Sequence, residues 1–326
     1  MTSWCNMKKY DIVALGELLI DFTEYGVSKQ GNPVWEANPG GAPCNVLAMM
    51  KRLGKSAAFI GKIGNDVYGR QLESAVKEVG IDPAGLVFDN EVHTTLAVVH
   101  KLPNGDRDFS FYRNPGADVM LTEDEIDYSL LSSTKVFHFG TLSMTHEGVE
   151  QATKAAVKAA KLSGALVSFD PNFRPPLWNS EQKMLEAAVW GMGVCDVLKI
   201  SDNEIDLLTG EKDIEKAVAI IRHDYPNIRL LCVTMGGEGS YCSYKDMLVF
   251  VPAFRVNTVE TTGAGDTYGA CVLNYVVDHG IEALTEDNLR EMMTFAGAAA
   301  ALVTTRKGAL RVMPTLEEIE KTIASK

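Results

Sequence analysis

Long runs of basic or apolar residues are missing from this sequence. Its 31 Lys and Arg residues are outnumbered by 43 Asp and Glu residues, which gives a net charge of −12. A nucleic-acid surface needs clustered cations to neutralise phosphates, so we expect no nucleic-acid partner. No apolar stretch approaches the ~20 residues of a membrane span, and no N-terminal segment has the apolar core of a signal peptide, so we expect a cytoplasmic protein with no membrane partner.

Paired cysteines and the common nucleotide-binding fingerprints are missing as well. The six cysteines are scattered without a C-x-x-C pair, which is typical of buried, reduced thiols. The sequence contains neither the G-x-x-x-x-G-K-[ST] loop of P-loop enzymes nor the G-x-G-x-x-G spacing of dinucleotide-binding folds. A nucleotide site here must therefore draw its positive potential from helix N-termini, a few basic side chains and bound cations.

What is present is the composition of a globular protein. The 326 residues are 46% apolar and 23% charged, without low-complexity segments, linkers or internal repeats. Short β-branched runs, each followed by a helical pattern such as that of residues 147–161, predict an α/β fold with a mostly parallel central sheet and helices on both faces. These runs lie at residues 11–15, 57–60, 136–139, 165–169, 196–200 and 230–233.

Two stretches break the alternation of strand and helix, at about residues 18–36 and 94–113. Both have extended patterns, and the second contains a Pro-Asn-Gly turn at residues 103–105, which is typical of a hairpin. Together they predict a small projecting β-sheet. No other boundary is visible, so we expect a single domain over residues 1–326.

A small-residue turn precedes an apolar helical pattern late in the chain. Residues 260–266 are Glu-Thr-Thr-Gly-Ala-Gly-Asp. Gly263 and Gly265 allow a phosphoryl group to approach the backbone, and the first amides of the helix can converge on an anion. Asp266, in the first turn, can accept a proton from an attacking hydroxyl. The alternative is a glycine turn before a core helix, with Asp266 as an ordinary helix-start acid.

A second glycine-rich segment lies near the N-terminus. Residues 38–48 are Asn-Pro-Gly-Gly-Ala-Pro-Cys-Asn-Val-Leu-Ala. Paired glycines before a helix suit a polar ligand packed against the backbone, and the Asn45 amide can both donate to and accept from sugar hydroxyls. The alternative is that Pro43 is simply a first-turn helix proline after a tight turn.

The carboxyl ends of three predicted strands carry polar groups suited to phosphate. Residues 170–174 follow one strand, Lys199 ends the next, and residues 234–239 follow the third. Open parallel sheets bind ligands at these ends. For Lys199, snorkelling of a long side chain at a strand end is the competing interpretation.

Together the two glycine-rich motifs resemble the signatures of the PfkB/ribokinase family of carbohydrate kinases, and the resemblance covers nearly the whole chain. It implies a ribokinase-like fold with a β-lid, ATP and Mg²⁺ as cofactors, a small sugar as substrate, and a monomer or homodimer. Residues 107–118 resemble a segment of bacterial and plant fructokinases, which implies phosphorylation of D-fructose to fructose 6-phosphate. A 2-keto-3-deoxygluconate kinase, another sugar kinase of the family, and a catalytically inactive regulatory relative are the alternatives.

The resemblance also implies a role for each residue that matches a family position. The catalytic set is the base Asp266, the anion hole of Gly263, Ala264 and Gly265, and Arg174. The sugar contacts are Asp21, Gly40, Gly41, Asn45 and Arg113. The nucleotide contacts are Asn172, Lys199, Thr234, Gly236 and Gly239.

The implied metal ligands include departures from the family pattern. Glu204 matches the glutamate that organises magnesium, although Ser201 stands where the family has Asn. Glu260 stands where the family usually has an Asp that helps to hold a monovalent cation, with Thr262 beside it, and Val312 replaces a serine ligand of ribokinases. The resemblance therefore implies Mg²⁺ and leaves activation by K⁺ open.

Overall fold

The computed structural model describes residues 8–101, 107–282 and 284–325, and only the backbone at residues 100–101 and 107–109. Its strands are β1 (Tyr10–Leu15), β2 (Leu19–Val27), β3 (Pro33–Gly40), β4 (Ala57–Gly64), β5 (Asp82–Asp89), β6 (Leu96–Lys101), β7 (Arg107–Tyr112), β8 (Thr134–Gly140), β9 (Leu166–Asp170), β10 (Val197–Ser201), β11 (Leu230–Thr234), β12 (Gly239–Tyr244) and β13 (Met247–Pro252). Its helices are α1 (Ala42–Arg52), α2 (Val67–Glu78), α3 (Tyr128–Ser132), α4 (Glu147–Leu162), α5 (Glu181–Val194), α6 (Asp202–Thr209), α7 (Ile214–Asp224), α8 (Ala264–His279), α9 (Glu286–Val303) and α10 (Leu316–Ala324).

The main sheet has nine strands in the order β13-β12-β11-β10-β9-β8-β1-β4-β5. The strands from β11 through to β5 run parallel to one another, whereas β12 is antiparallel to both of its neighbours. The prediction of an α/β fold with a mostly parallel sheet is confirmed. Parallel strands need crossover connections, and the helices between successive strands supply them.

Two hydrophobic cores lie on opposite faces of this sheet. Along β1, Ile12 and Ala14 belong to the core that contains α1, α8 and α9, whereas Val13 and Leu15 belong to the core that contains α4, α5 and α7. This split follows from the alternation of side chains along a strand. Helix α8 packs against both α1 and α9, so its N-terminus is held firmly beside the N-terminus of α1.

A separate four-stranded sheet, the lid, has the order β3-β2-β6-β7. Strand β2 pairs antiparallel with β3 and parallel with β6, and β6 pairs antiparallel with β7. The predicted turn at residues 103–105 lies outside the described residues. Strand β3 ends at Gly40 and α1 begins at Ala42, so the lid connects directly to the body of the protein.

The helix at 147–161 shows how local pattern becomes structure. Helix α4 spans Glu147–Leu162, as predicted, and its Glu150 carboxylate lies 2.6 Å from the Lys154 ammonium one turn later. Acidic residues near the start of a helix and basic residues near its end interact favourably with the helix dipole.

Within the described ranges, no helix is long and apolar enough to cross a membrane.

Candidate active site

Two cavities lie at the carboxyl edge of the main sheet. The first, of about 320 Å³, lies between the lid and the body and is lined by Asp21, Asn45 and Asp266 among others. The second, of about 520 Å³, lies between the β11–β12 turn, β13, α8 and α9. Both cavities are lined by Thr261 and Gly265. A group bound in one cavity therefore meets a group bound in the other at the start of α8.

The turn before α8 is shaped by glycine. Gly263 has φ 77°, the left-handed region that glycine tolerates best, and a Cβ there would lie 2.9 Å from the Ala309 Cβ. The first intrahelical bond of α8 is donated by Thr267 to the Gly263 carbonyl at 2.8 Å, so the amides of Gly265 and Asp266 precede the hydrogen-bond ladder. Amides in this position, at the positive end of the helix dipole, are suited to bind an anion.

Asp266 is held by Asn45 across the junction of α1 and α8. The Asn45 Nδ2 donates to Asp266 Oδ2 at 2.8 Å. Burial raises the pKa of Asp266, while the bond from Asn45 and the charges of Lys199 and Arg174 oppose that rise. The Asn45 Oδ1 is buried and has no hydrogen-bond partner within the described part of the chain, so it is ready to accept a bond from a ligand hydroxyl.

Asp21 lies on lid strand β2, opposite Asn38 of β3. Its burial in the cavity wall raises its pKa to about 7, opposed by Arg174 and reinforced by Glu260 and Asp266. A Cβ on Gly40 would lie 2.2 Å from Asp21 Oδ2. Gly40 does not line the cavity itself. Because it has no side chain, it leaves the space that the Asp21 carboxylate occupies.

Gly41 forms the junction between the lid and α1. Its φ is 126°, and a Cβ there would lie 2.3 Å from the Glu17 carbonyl oxygen, so a larger residue would strain this junction. The Glu17 side chain accepts the Ala42 amide at 2.9 Å and thereby caps the start of α1. Glu17 is buried, and this burial raises its pKa to about 7.

We expect Glu17→Gln to stabilise the ligand-free protein at alkaline pH. The pKa of the Glu17 carboxyl rises on folding, from 4.5 to about 7. Such a group contributes fully to stability at pH values below its pKa in the unfolded chain, and this contribution is lost as the pH rises through its pKa in the folded protein. Glutamine keeps an acceptor for Ala42 without the buried charge, so urea unfolding at pH 8 should show a gain of about 3 kcal/mol. The gain in stability should vanish near pH 4.5. An equal gain at both pH values would contradict the assignment of a buried, charged Glu17. As a control, Glu24→Gln at an exposed position should not change the stability at either pH.

Lys199 lies in the middle of β10, two residues before the strand end at which the sequence predicted it, and its side chain lies beside the anion-binding turn. A Cβ on Gly265 would lie 2.8 Å from the Lys199 Nζ, so the ammonium is packed against the turn's backbone. Lys199 donates to Asp170 Oδ2 at 2.9 Å, and both side chains are largely buried. Burial raises the pKa of Asp170 to about 6, opposed chiefly by Lys199. The ammonium is thus buried and paired, and it does not snorkel to solvent.

The loop after β9 supplies Asn172 and Arg174 to the first cavity. Asn172 has φ 44°, a left-handed conformation that asparagine tolerates better than most residues. Arg174 donates to the Phe173 carbonyl at 2.9 Å, and its charge acts on both Asp21 and Asp266. The loop therefore places a cation near the two carboxylates that face the cavity.

The predicted nucleotide contacts Thr234, Gly236 and Gly239 all line the second cavity. They lie on the turn from β11 to β12, and a Cβ on Gly239 would lie 2.3 Å from the Val251 carbonyl oxygen. Gly236 has φ 51°. The glycines permit a tight turn whose backbone forms one wall of the cavity.

Arg113 is placed elsewhere than predicted. Its guanidinium forms a buried ion pair with Asp118 at 2.6 Å and donates to Thr145 Oγ1 and the Leu142 carbonyl. It does not line the first cavity. The prediction that Arg113 contacts the sugar does not fit this arrangement, because its donors are used inside the protein.

Glu204 is also placed differently from the expectation of a metal-organising residue. Its carboxylate accepts bonds from the Phe173 amide, the Ser201 amide and the Ser201 hydroxyl at 2.8–2.9 Å. Ser201 and Glu204 form a capping box at the start of α6, which gives the departure from Asn a structural reason. Among the described residues, no three His, Cys, Asp or Glu side chains converge on a point that could hold a metal.

Several lining residues were not predicted from the sequence. In the first cavity they include Glu17, Phe111 and Leu142, and in the second they are contributed by β13 and α9. Glu17 follows the end of β1 by two residues, so its position near the carboxyl edge of the sheet was readable from the sequence. The β13 and α9 walls carry mostly small or apolar side chains, which give no chemical signal.

Comparisons with known proteins find relatives that cover nearly the whole chain. The model of the pfkB family carbohydrate kinases matches residues 9–316. Fructokinase-2 of Solanum lycopersicum is 42% identical over 313 residues, with 94% of each chain covered. The structure of a Xylella fastidiosa fructokinase with bound ATP superposes with a TM-score of 0.88 at 29% identity, covering 97% of this chain and 99% of that one. A fructokinase double mutant from Vibrio cholerae O395 with fructose, ADP and a potassium ion superposes with a TM-score of 0.85 at 28% identity, covering 96% and 98%.

Proposed function

The chain belongs to the pfkB family of carbohydrate kinases, and we propose that it transfers the γ-phosphoryl group of ATP to D-fructose. The observation that carries this proposal is the meeting of two cavities at one anion-binding turn, with Asp266 beside it. The larger cavity suits the nucleotide and the smaller one the sugar. The fructokinases among its relatives support the choice of ketose.

In this mechanism the protein aligns the reactants and accepts a proton. The sugar hydroxyls would bond to Asp21, the free acceptor of Asn45 and Asp266. A sugar hydroxyl is too weakly acidic to ionise first, so Asp266 takes its proton as the bond to phosphorus forms. The amides of the anion turn, Lys199 and Arg174 stabilise the negative charge on the transferred group.

Magnesium belongs to this chemistry because it accompanies the phosphates of ATP and neutralises their charge. Asp170 has a buried Oδ1 without a hydrogen-bond partner in the described residues. This carboxylate oxygen, beside Lys199, could therefore act as a metal ligand or accept a bond from a metal-bound water. Glu204 lies in the same neighbourhood, since its charge acts on both Asp170 and Lys199. We therefore propose that Asp170 and Glu204 would help to hold a magnesium ion, which would neutralise phosphate charge during the transfer.

The charges around the first cavity favour an uncharged sugar over a sugar acid. Four acids line it, Glu17, Asp21, Glu260 and Asp266, against the two cations Arg174 and Lys199, and Lys199 is already paired with Asp170. Arg113, a candidate partner for a substrate carboxylate, is engaged with Asp118. A carboxylate on the substrate would meet like charges, which disfavours 2-keto-3-deoxygluconate.

We expect D-fructose to be phosphorylated in preference to D-ribose and 2-keto-3-deoxygluconate. The test is kcat/KM for each sugar with Mg-ATP, followed through ADP formation. We expect the sugar acid to be worse by roughly 10²-fold or more, because its charge is repelled inside a partly desolvated site. A higher value for either competitor would overturn the substrate assignment and leave the kinase intact. Absence of turnover with every sugar would instead favour an inactive relative.

A further inference from the structure

The anion-binding turn is fastened to a second segment of chain that follows α9. The Val259 and Glu260 amides donate to the Thr304 carbonyl at 2.8 and 3.0 Å. Gly263 packs on Ala309, whose Cβ would lie 2.9 Å from a Cβ on that glycine. The position of residues 258–263, and with it the anion-binding turn, therefore depends on residues 304–309.

Glu260 joins these two segments with its side chain. Its Oε1 accepts the Thr262 hydroxyl at 2.8 Å within its own segment, and its Oε2 accepts the Gly308 amide at 3.0 Å in the other. The side chain is 8% exposed. A buried carboxylate with donors on both sides is a rigid connection.

These contacts do not fit a monovalent cation held by Glu260. Potassium is bound in proteins by oxygen atoms that replace its hydration shell. Here the carboxylate oxygens already face an N–H and an O–H group. Further along the same segment, the Val312 carbonyl accepts a bond from Arg306 Nη1 at 2.9 Å, so a guanidinium of the protein itself occupies that acceptor.

We propose that Glu260 is a positioning residue that fixes the anion-binding turn directly, and that this kinase consequently works without activation by a monovalent cation. The proposal rests on the proposed kinase function. The Glu260 side chain connects the turn to residues 304–309 through its hydrogen bonds to Thr262 and Gly308. In the Vibrio cholerae fructokinase structure, by comparison, a potassium ion is present.

The length of the side chain, more than its charge, should matter. Aspartate keeps the charge but is shorter by one methylene, about 1.5 Å, so it cannot reach both Thr262 and Gly308. Glutamine keeps the length: its Oε1 can accept the Gly308 amide while its Nε2 donates to the Thr262 hydroxyl. A cation ligand would show the opposite order, because aspartate keeps the negative charge that attracts the ion and glutamine loses it.

The test measures fructose phosphorylation in potassium, sodium and tetramethylammonium chloride at equal ionic strength. We expect the wild-type kcat to vary by less than about twofold, Glu260→Gln to stay near wild type, and Glu260→Asp to lose roughly tenfold or more in kcat with KM for fructose little changed. Potassium activation of the wild type by more than about fivefold would overturn the proposal. So would an active Glu260→Asp beside an impaired Glu260→Gln.

Melting temperatures of the protein without substrate provide a readout that does not depend on activity. A bound cation stabilises the folded state in proportion to its affinity, so we expect the same melting temperature in all three salts. A potassium-specific increase would overturn the proposal. If no sugar is phosphorylated in any salt, the proposed kinase function fails. The melting temperatures would still show whether the folded protein binds potassium.

Discussion

Asp266→Asn should lower kcat by about 10²–10⁴ while ATP and fructose still bind. Asparagine has nearly the same volume and can still bond to Asn45 and to the sugar, so the fold should survive. It cannot accept the proton of the attacking hydroxyl. The measurement is the steady-state rate, with Kd for each substrate obtained by calorimetry.

The control for this variant is Asp287→Asn. Asp287 is also a first-turn helix acid, at the start of α9, and it is exposed. This change should leave kcat at the wild-type level. A near-normal kcat for Asp266→Asn would refute the base, and parallel losses in binding and folding would support a merely structural acid at the start of α8.

Lys199→Met should lower kcat/KM for ATP by roughly 10²–10³. The change removes a cation packed against the anion-binding turn, and it also leaves Asp170 buried without its partner. A buried charge that loses its partner typically destabilises a protein by about 3 kcal/mol or more, unless the charge is neutralised by a proton. The measurements are initial rates at varied ATP and urea unfolding at pH 8.

A second variant separates the two effects of Lys199→Met. The double variant Asp170→Asn with Lys199→Met removes both buried charges, so it should recover stability but not activity. Lys62→Met is the matched control: this lysine also lies buried and paired, with Asp89 and Glu125, but it lines neither cavity. It should lose stability and keep kcat. Recovery of activity in the double variant would show that Lys199 serves only as the counterion of Asp170, and it would also contradict the proposed role of Asp170 in holding magnesium.

The parts of the fold that rest on local pattern could be predicted from the sequence. Helix α4 has a helical periodicity, and the strands at 11–15 and 230–233 are short apolar, β-branched runs; both signals depend only on neighbouring residues. The cluster of predicted residues in the two cavities follows from the rule that parallel strands present their carboxyl ends at one edge. Whether these residues bind as proposed remains a prediction.

The contacts that could not be predicted are those between distant segments. Arg113 was expected to face the sugar, yet its partners include Thr145 and the Leu142 carbonyl, whose proximity depends on how β8 and the loop after it pack. The pairing of Lys199 with Asp170 depends on the order of β9 and β10 in the sheet. Ser201 and Glu204, in contrast, have the spacing of a capping box, which the sequence already contained.

The location of Asp21 on the lid has a consequence for how ATP is used. Asp21 belongs to the lid, whereas Asp266 belongs to the body, and both line the first cavity, the sugar site of the proposed mechanism. A sugar that bonds to both carboxylates holds the lid against the body, and water molecules cannot bridge them with the same fixed geometry. On this mechanism we expect ATP turnover to depend on the acceptor: without a sugar the site is not assembled, and with a sugar bound the closed lid excludes water, so hydrolysis by solvent should be slow in both cases.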